Sequence, residues 1–575
     1  PRSFSVELEL FAPNGRRVID RETVAATLGT RSSATETRDL EVPQPELWDV
    51  DHAALYRLVT RVKAGSHMVD DEETLFGIRE FHFDAATGFW LNGRNFKLKG
   101  ACLHEDGGAV GMAVPAGVWE HRLRALKEIG VNAIRTAHNP PAPEFLDLCD
   151  RMGILVMDEM FDCWTTAKNP YDYHLYFPEW SQQDTRDTVL RDRNHPSVIL
   201  YSAGNEIRDT PQPELAKSIL SGLIEAFHTY DPTRPVTQAL FRPNVSHDYE
   251  DGLADMLDVV GQNYREDEIL AAHRDKPTRK ILGTENTHDR AAWLALRDNP
   301  AYAGQFLWSA ADYLGESRVW PLVGSPSGLL DRTGAIKPIG YERMSWWSTK
   351  PMVYVARRVA APVAAATDPG YENAAQQERQ RRAAETLRSD WTPADLSGHD
   401  ENVEVYSNCE EVELLLNGRS LGSKPRAADA SARTWRVGFE AGKLEAIGRD
   451  KGREVARAEL RTAAKPARIE LETDRTTLAS DWESVAFVTA RVVDENGVPV
   501  PAADNLIVFE AQLPGYIMAT DSADLASHDP FLSYERVAYQ GRAVALVVAR
   551  GAGQIVVTAS SEGLVAGSVT IMGER

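Results

Sequence analysis

From residue 95 to residue 348 this 575-residue chain repeats one pattern: a short run rich in β-branched and apolar residues, followed in most cases by a stretch with helical periodicity. The runs fall at 96–102, 131–137, 154–159, 198–202, 235–240, 259–264, 280–285 and 305–308, with helical stretches at 117–129, 143–152, 179–192 and 213–230 among those between them. Short apolar runs alternating with helices indicate strands covered on both faces, as in a parallel sheet. Eight of them in roughly 250 residues is the arithmetic of a TIM barrel. A doubly wound open sheet is the runner-up, but no glycine-rich phosphate-binding turn follows the first run, so its usual cofactor reading has no support.

The flanks follow a different rule. Residues 3–83 alternate polar and apolar positions in short runs (4–10, 24–28, 55–62) with Asn14-Gly15 as a hairpin turn, which predicts a small antiparallel β-sandwich. It opens in mid-strand and is therefore expected to be N-terminally incomplete. Gly65-Ser66-His67-Met68 lies between two strand-like runs and reads as a native segment. Downstream, 376–388 is polar and charge-dense, as in a surface loop or short helix. Strand-and-turn spacing then resumes at 403–406, at Asn417-Gly418, and again beyond a boundary at Ala464-Lys465-Pro466, through Asn496-Gly497 to 555–559. The expected architecture is multidomain: an immunoglobulin-like sandwich at 1–83, a central (β/α)8 TIM barrel at 84–350, and immunoglobulin-like β-sandwiches at 351–464 and 465–575.

Charge excludes some functions. Lys and Arg number 63 against 85 Asp and Glu, leaving −22. Such a surface repels phosphate backbones, so no nucleic-acid partner is expected. No run approaches the ~18 apolar residues of a membrane span, so no membrane partner is expected either. Cys102, Cys149, Cys163 and Cys409 have no paired spacing, which favours a reducing, cytoplasmic setting, although no leader is visible in a chain that opens on Pro1.

In a barrel of this kind the reactive groups sit at the C-terminal ends of the strands. Strand four ends in Asn205-Glu206 and strand seven in Glu285. Two carboxylates brought to one mouth suit glycosidic cleavage, one protonating the leaving oxygen and the other attacking the anomeric carbon. Against this, 85 acidic residues make chance strand-end carboxylates common. His104, His138 and His288 sit at or just beyond the ends of strands one, two and seven.

The surrounding residues carry a resemblance. The segment Asn194-His195-Pro196-Ser197-Val198-Ile199-Leu200-Tyr201-Ser202-Ala203-Gly204-Asn205-Glu206 resembles the acid/base signature of glycoside hydrolase family 2. Asn132-Ala133-Ile134-Arg135-Thr136-Ala137-His138-Asn139-Pro140 is similar to that family's other signature, and Asp150 through Asp158-Glu159 and Gly77-Ile78-Arg79 extend the likeness. Val405-Tyr406-Ser407-Asn408-Cys409 with Leu415-Leu416-Asn417-Gly418 resembles the extra immunoglobulin-like module of bacterial β-galactosidase-like members.

By that resemblance Glu206 is the general acid/base, Glu285 the nucleophile of a retaining double displacement, and Asn205 the holder of the sugar 2-hydroxyl. Arg135 is a cation near the nucleophile, Tyr264 a phenol that bonds it, and Trp308 the apolar floor under the sugar ring. His104 and His138 match hydroxyl-binding positions and His288 is a further candidate. Asp158 and Asp312 are expected either to bind hydroxyls or to be buried salt-bridge partners.

Departures from the family pattern refine these expectations. Tyr201 replaces a signature Trp. Cys163-Trp164-Thr165 stands where large β-galactosidases place a Glu-x-His magnesium site, so no metal is implied, and no organic cofactor is expected. Ser325-Pro326-Ser327-Gly328 replaces the Asn-x-Lys with which β-glucuronidases hold a carboxylate, so neutral hexosides fit better than uronides. The jelly-roll domain that opens most members is expected to be missing. The implied function is an exo-acting β-galactosidase on oligosaccharide or β-glycoside substrates. β-Glucuronidase, β-galacturonidase and exo-β-glucosaminidase are the alternatives within the family, and a weakly active or inactive carbohydrate-binding fragment is the rival outside it. An open pocket with broad activity and an exposed strand edge favouring homo-oligomers complete the expectations.

Overall fold

The structure is a computed structural model that describes residues 2–13, 15–317, 319–360 and 385–575. It divides into two compact units, residues 1–104 with 132–308 and residues 105–131 with 309–575.

The first unit holds the barrel sheet. Eight parallel strands close on themselves: one Leu98–His104, two Ala133–Ala137, three Leu155–Glu159, four Val198–Asn205, five Val236–Leu240, six Val260–Asn263, seven Ile281–Asn286 and eight Tyr302–Leu307. Strand eight returns to strand one in the register Gly304↔Leu98 to Leu307↔Ala101. Strands one and eight lie a few residues from their expected positions, because the apolar run marks what is buried while the ladder marks what is paired. Helices Pro143–Met152, Phe177–Asp192, Pro213–Tyr230, Glu266–Asp275 and Arg290–Arg297 follow strands two, three, four, six and seven. At the floor Leu98, Leu155 and Phe306 pack together, and Gly100 leaves the space that the Phe306 ring occupies, since a Cβ on Gly100 would lie 2.3 Å from that ring.

Below strand one, the antiparallel strands Phe81–Asp84, Gly88–Leu91 and Arg94–Asn95 close the barrel floor by adding Phe83, Phe89 and Leu91 to the same cluster. Gly88 turns this hairpin at φ +83°, and a Cβ there would meet the Ala303 backbone at 3.0 Å, so only glycine fits. Trp48, fully buried, joins the cluster and donates its indole N–H to the Asp150 carbonyl at 2.8 Å.

The N-terminal segment corrects an expectation. Arg2–Phe11, Val18–Leu28, Tyr56–Ala64 and His67–Phe76 form a single four-stranded antiparallel sheet, with Val18–Leu28 and His67–Phe76 at its edges, and no second sheet accompanies it among the described residues of 1–79. Alternation identifies strands with two unlike faces and says nothing about how many sheets they make. Gly65, at φ +65°, turns between the last two strands. Asn14 lies outside the described residues.

The second unit contains helices Ala116–Ile129 and Pro338–Trp347, which follow strands one and eight in the chain, and two β-sandwiches. One pairs two four-stranded sheets from Val353–Ala360 to Arg453–Arg461 around Trp391, Leu414, Trp435 and Phe439. The other pairs a four-stranded and a five-stranded sheet from Arg468–Thr473 to Gly567–Glu574 around Ile507, Phe509, Val547 and Ile555. The expected polar loop at 376–388 falls largely outside the described residues, but Glu385–Arg388 is a strand paired with Val353–Ala360. All four cysteines are buried free thiols. No helix among the described residues is long and apolar enough to cross a membrane.

Candidate active site

The site forms where period-two alternation turns from apolar to charged. On strand two, Ala133, Arg135 and Ala137 share one face. On strand three, Leu155, Met157 and Glu159 do, with the lower members in the core cluster. Arg135 and Glu159, both fully buried, therefore meet inside the barrel: the guanidinium donates from Nη2 to Glu159 Oε1 at 2.8 Å and from Nε to Oε2 at 3.0 Å. Its Nη1 donates to Glu285 Oε1 at 2.8 Å. Ser202 on strand four donates to Glu159 at 2.6 Å, and His138 Nδ1 lies 2.7 Å from the other oxygen. Burial opposes ionisation of Glu159, but Arg135, His138 and Ser202 outweigh it and hold its pKa at about 2.

Register shifts in the ladders of strands four, six and seven fall between Ser202 and Asn205, between Gln262 and Asn263, and between Gly283 and Asn286. Such irregularities re-aim side chains at the rim of a sheet. The Asn205 Oδ1 accepts from Arg135 Nη2 at 2.9 Å and from Asn263 Nδ2 at 3.0 Å, and Asn263 Nδ2 also reaches Glu206 Oε1 at 3.0 Å. Thr284 fixes the Asn263 amide by donating to its Oδ1 at 2.7 Å. One hydrogen-bonded chain thus runs Glu285, Arg135, Asn205, Asn263, Glu206.

The two carboxylates differ in their surroundings. Glu285 is 4% exposed and bonded to a guanidinium. Glu206 is half-buried and bonded to a neutral amide, and its pKa is raised, first by burial and then by the negative charge of Glu285. Tyr264 follows strand six, its N–H donating to the Glu285 carbonyl at 2.6 Å. Its phenol is pushed up by burial, then by the Glu285 charge and by the hydrogen bond it donates to that carboxylate. Trp308 stacks on His138 at 5.3 Å between ring centroids, and His104 meets Trp308 edge-on at 5.1 Å.

The structure therefore brings Glu206, Glu285, Asn205, Arg135, Tyr264, His104, His138 and Trp308 together. It does not bring Asp158. That residue shares the face of Val156, opposite Glu159, and is fully buried; burial first, then the Asp192 charge, raises its pKa well above the carboxylate range. Asp312 belongs to the second unit, where Lys337 Nζ donates to it at 2.7 Å and the Gly328 N–H at 2.8 Å, which is the salt-bridge reading. His288 is half-buried two residues beyond strand seven. Glu159, Ser202 and Asn263 were not singled out from the sequence, although the parity of strand three, counted from Leu155, already selects Glu159 over Asp158.

Elsewhere in this unit Asp147, Asp150 and His195 gather possible metal-ligand atoms within 4.8 Å of one another. There His195 Nδ1, at 2.7 Å, and the Ser197 N–H, at 3.0 Å, take the two Asp150 oxygens. The trio packs the entry to strand four, at the end of the barrel away from Glu206 and Glu285.

Comparison with known proteins agrees with this geometry. The family model for the glycosyl hydrolases family 2 TIM barrel domain matches residues 85–319, and the companion model for glycosyl hydrolases family 2 matches residues 1–79. A family 2 C-terminal domain matches 469–570 and a domain of unknown function matches 398–456. The chain is 35% identical to the β-galactosidase BoGH2A of Bacteroides ovatus, over 92% of this chain and 67% of that one. It is 29% identical to a putative β-glucuronidase of Formosa agariphila, over 89% of this chain and about half (51%) of the other. A solved family 2 member from Bacteroides cellulosilyticus superposes with a TM-score of 0.89 at 32% identity, covering 100% of this chain and 74% of that one. Matching domains in order along the chain, together with these relatives, place the chain in glycoside hydrolase family 2, and it is a glycosyl hydrolase of the β-glycosidase class.

Proposed function

We propose that the chain is a retaining, exo-acting β-glycosidase that releases terminal neutral β-hexosides, β-galactosides first among them. The observation that carries this reading is the unequal pair: Glu285 on a buried guanidinium, Glu206 on a neutral amide with a raised pKa. The Glu285 carboxylate attacks the anomeric carbon while Glu206 gives its proton to the departing oxygen, so one C–O bond breaks as the glycosyl ester forms. Glu206, now negative, takes a proton from water, whose oxygen attacks the same carbon and frees Glu285 with net retention. Trp308 offers an apolar face to the sugar ring, and His104 and His138 offer polar atoms to its hydroxyls. The 35% identical relative named a β-galactosidase supports the galactoside, as does Ser325-Pro326-Ser327 in place of a carboxylate-binding Asn-x-Lys. β-Glucuronides are the second reading, favoured by the relative named a putative β-glucuronidase.

A panel of nitrophenyl glycosides tests the substrate, with the β-galactoside expected to lead. A leading glucuronide would replace it with the second reading. Proton NMR of the first-formed sugar tests the stereochemistry: the β-anomer is expected, and an α-anomer would overturn the mechanism. Glu206→Ala should slow natural substrates by roughly 10²–10⁴-fold and recover with azide on activated aryl glycosides. Activity should fall as pH rises through the raised pKa of Glu206, because its proton is then lost before it is needed.

A further inference from the structure

The segment after strand three enters the site by a route that the two carboxylates do not use. Lys168 Nζ donates to Asp162 Oδ1 at 2.7 Å and to the Asn205 carbonyl at 3.0 Å, while Asn205 Nδ2 donates to that same Asp162 oxygen at 3.1 Å. The Asn205 N–H, in turn, donates to the Phe161 carbonyl at 2.9 Å. Asn205 is therefore tied to this loop through its N–H, its carbonyl and its side-chain amide. The loop itself is fastened: the Asp172 carboxylate accepts the backbone N–H groups of Lys168 at 2.8 Å, Asn169 at 2.6 Å and His174 at 3.1 Å. The Lys168 side chain is only 14% exposed, and Asp162 is 38% exposed, so the pair reaches from the protein surface into the site.

An asparagine amide can sit in two orientations, and its partners decide which. Arg135 and Asn263, both donors, claim the Asn205 oxygen, while Asp162, an acceptor, claims one of the two hydrogens on its nitrogen. The second hydrogen is left for a ligand.

We propose that Asp162 and Lys168 are a positioning pair that fixes the Asn205 amide with its nitrogen toward the sugar 2-hydroxyl, so that this contact is in place before the transition state forms. The inference rests on the reading of Asn205 as the 2-hydroxyl holder. Asp162 sets the orientation, and Lys168 holds Asp162 and the Asn205 main chain together. A contact that strengthens as the oxocarbenium ion develops is sensitive to small displacements, so losing the pair should act on the chemical step more than on ground-state binding. Lys168 has a second effect. Glu206 faces Glu285, His138, Asn263 and Lys168, and the positive charge of Lys168 lowers its pKa against the larger rise from burial.

The experiment compares Asp162→Asn, Lys168→Met and Lys168→Arg with the parent chain on the best nitrophenyl glycoside and on its 2-deoxy analogue, with Asn205→Ala as the reference. On the 2-hydroxy substrate, Asp162→Asn and Lys168→Met should lower kcat by roughly 10–100-fold, the scale of a misplaced contact. On the 2-deoxy substrate the loss should be less than about threefold, because the contact is already gone. Lys168→Arg should recover most of the activity, and Lys168→Met should move the alkaline limb of kcat/KM to higher pH. Titration of two iminosugars, with and without the hydroxyl equivalent to O2, gives a readout that needs no turnover: only the hydroxylated one should bind more weakly to the variants. Equal losses on both substrates and unchanged iminosugar selectivity, with Asn205→Ala still discriminating, would overturn the pair while leaving the reading of Asn205 intact. If Asn205→Ala itself loses equally on both substrates, that reading falls and the pair's role falls with it.

Discussion

The floor of the barrel and the inner layer of its mouth are both deeply buried and are built from opposite materials. At the floor, Phe89, Leu91, Leu98 and Phe306 are almost completely buried and exchange only apolar contacts. At the mouth, Arg135 and Glu159 are fully buried and Glu285 nearly so, and each is charged and hydrogen-bonded. The floor gains free energy from area removed from water, at about 25 cal/mol per Å². The mouth gains little from burial, since desolvating an ion pair costs about as much as the attraction returns, and what it obtains is charge fixed in place before a sugar arrives. Burial by itself therefore does not separate scaffold from site; the chemistry of the buried groups does.

The sharpest way to break this comparison is at Glu285. Glu285→Gln removes the proposed nucleophile and should lower kcat by roughly 10⁴–10⁶-fold for every leaving group, with a thermal melt close to the parent's. Rapid release of an activated leaving group by this variant would remove Glu285 from its role. Next, Glu159→Gln leaves the Arg135 charge half paired, so it should cost both activity and about 3–5 kcal/mol of stability, read from kinetics and urea melts together. A stability loss without an activity loss would make Glu159 a floor-like residue. Third, Phe89→Ala should cost about 3–5 kcal/mol through the cavity it leaves, with kcat per folded molecule nearly unchanged.

The smallest effect is expected beside Glu159. The folded-state pKa of Asp158 is raised, so its contribution to stability is present below the unfolded value, near 3.9, and is lost as pH rises through the folded one. Asp158→Asn removes a buried acid that disfavours folding at neutral pH. It should leave activity alone and raise Tm at pH 7, and the gain should vanish at acid pH. A drop in activity comparable to that of Glu159→Gln would put Asp158 back among the sugar-binding groups.

Much of this was legible in the chain, and the limits have physical causes. The eight barrel strands show because parallel strands covered on both faces must be apolar along their length. Glu206 and Glu285 show because the chemistry needs carboxylates at strand ends. The choice between Asp158 and Glu159 follows from the parity of strand three once Leu155 is known to face inward, but the run 154–159 is apolar at successive positions and does not say by itself which parity is inward. Asn263 escaped notice because an asparagine carries no charge, and its role comes entirely from the amide and two carboxyl-end neighbours it joins. The single sheet at the N-terminus, read as a sandwich, shows the same limit in another form: polarity patterns describe a strand's two faces, and partners beyond them are invisible.

Glu206 leaves strand four with its backbone at φ +44°, a left-handed conformation that a side chain other than glycine's holds at a cost of order 1–3 kcal/mol. A glycine there would relax the main chain and erase the proposed proton donor in one codon change. Selection for hydrolysis and selection for sturdiness thus pull in opposite directions at this position. In lineages released from the need to cleave, where the barrel is kept only to hold a sugar, position 206 is where glycine should accumulate early, so its identity serves as a marker of whether a descendant still turns over.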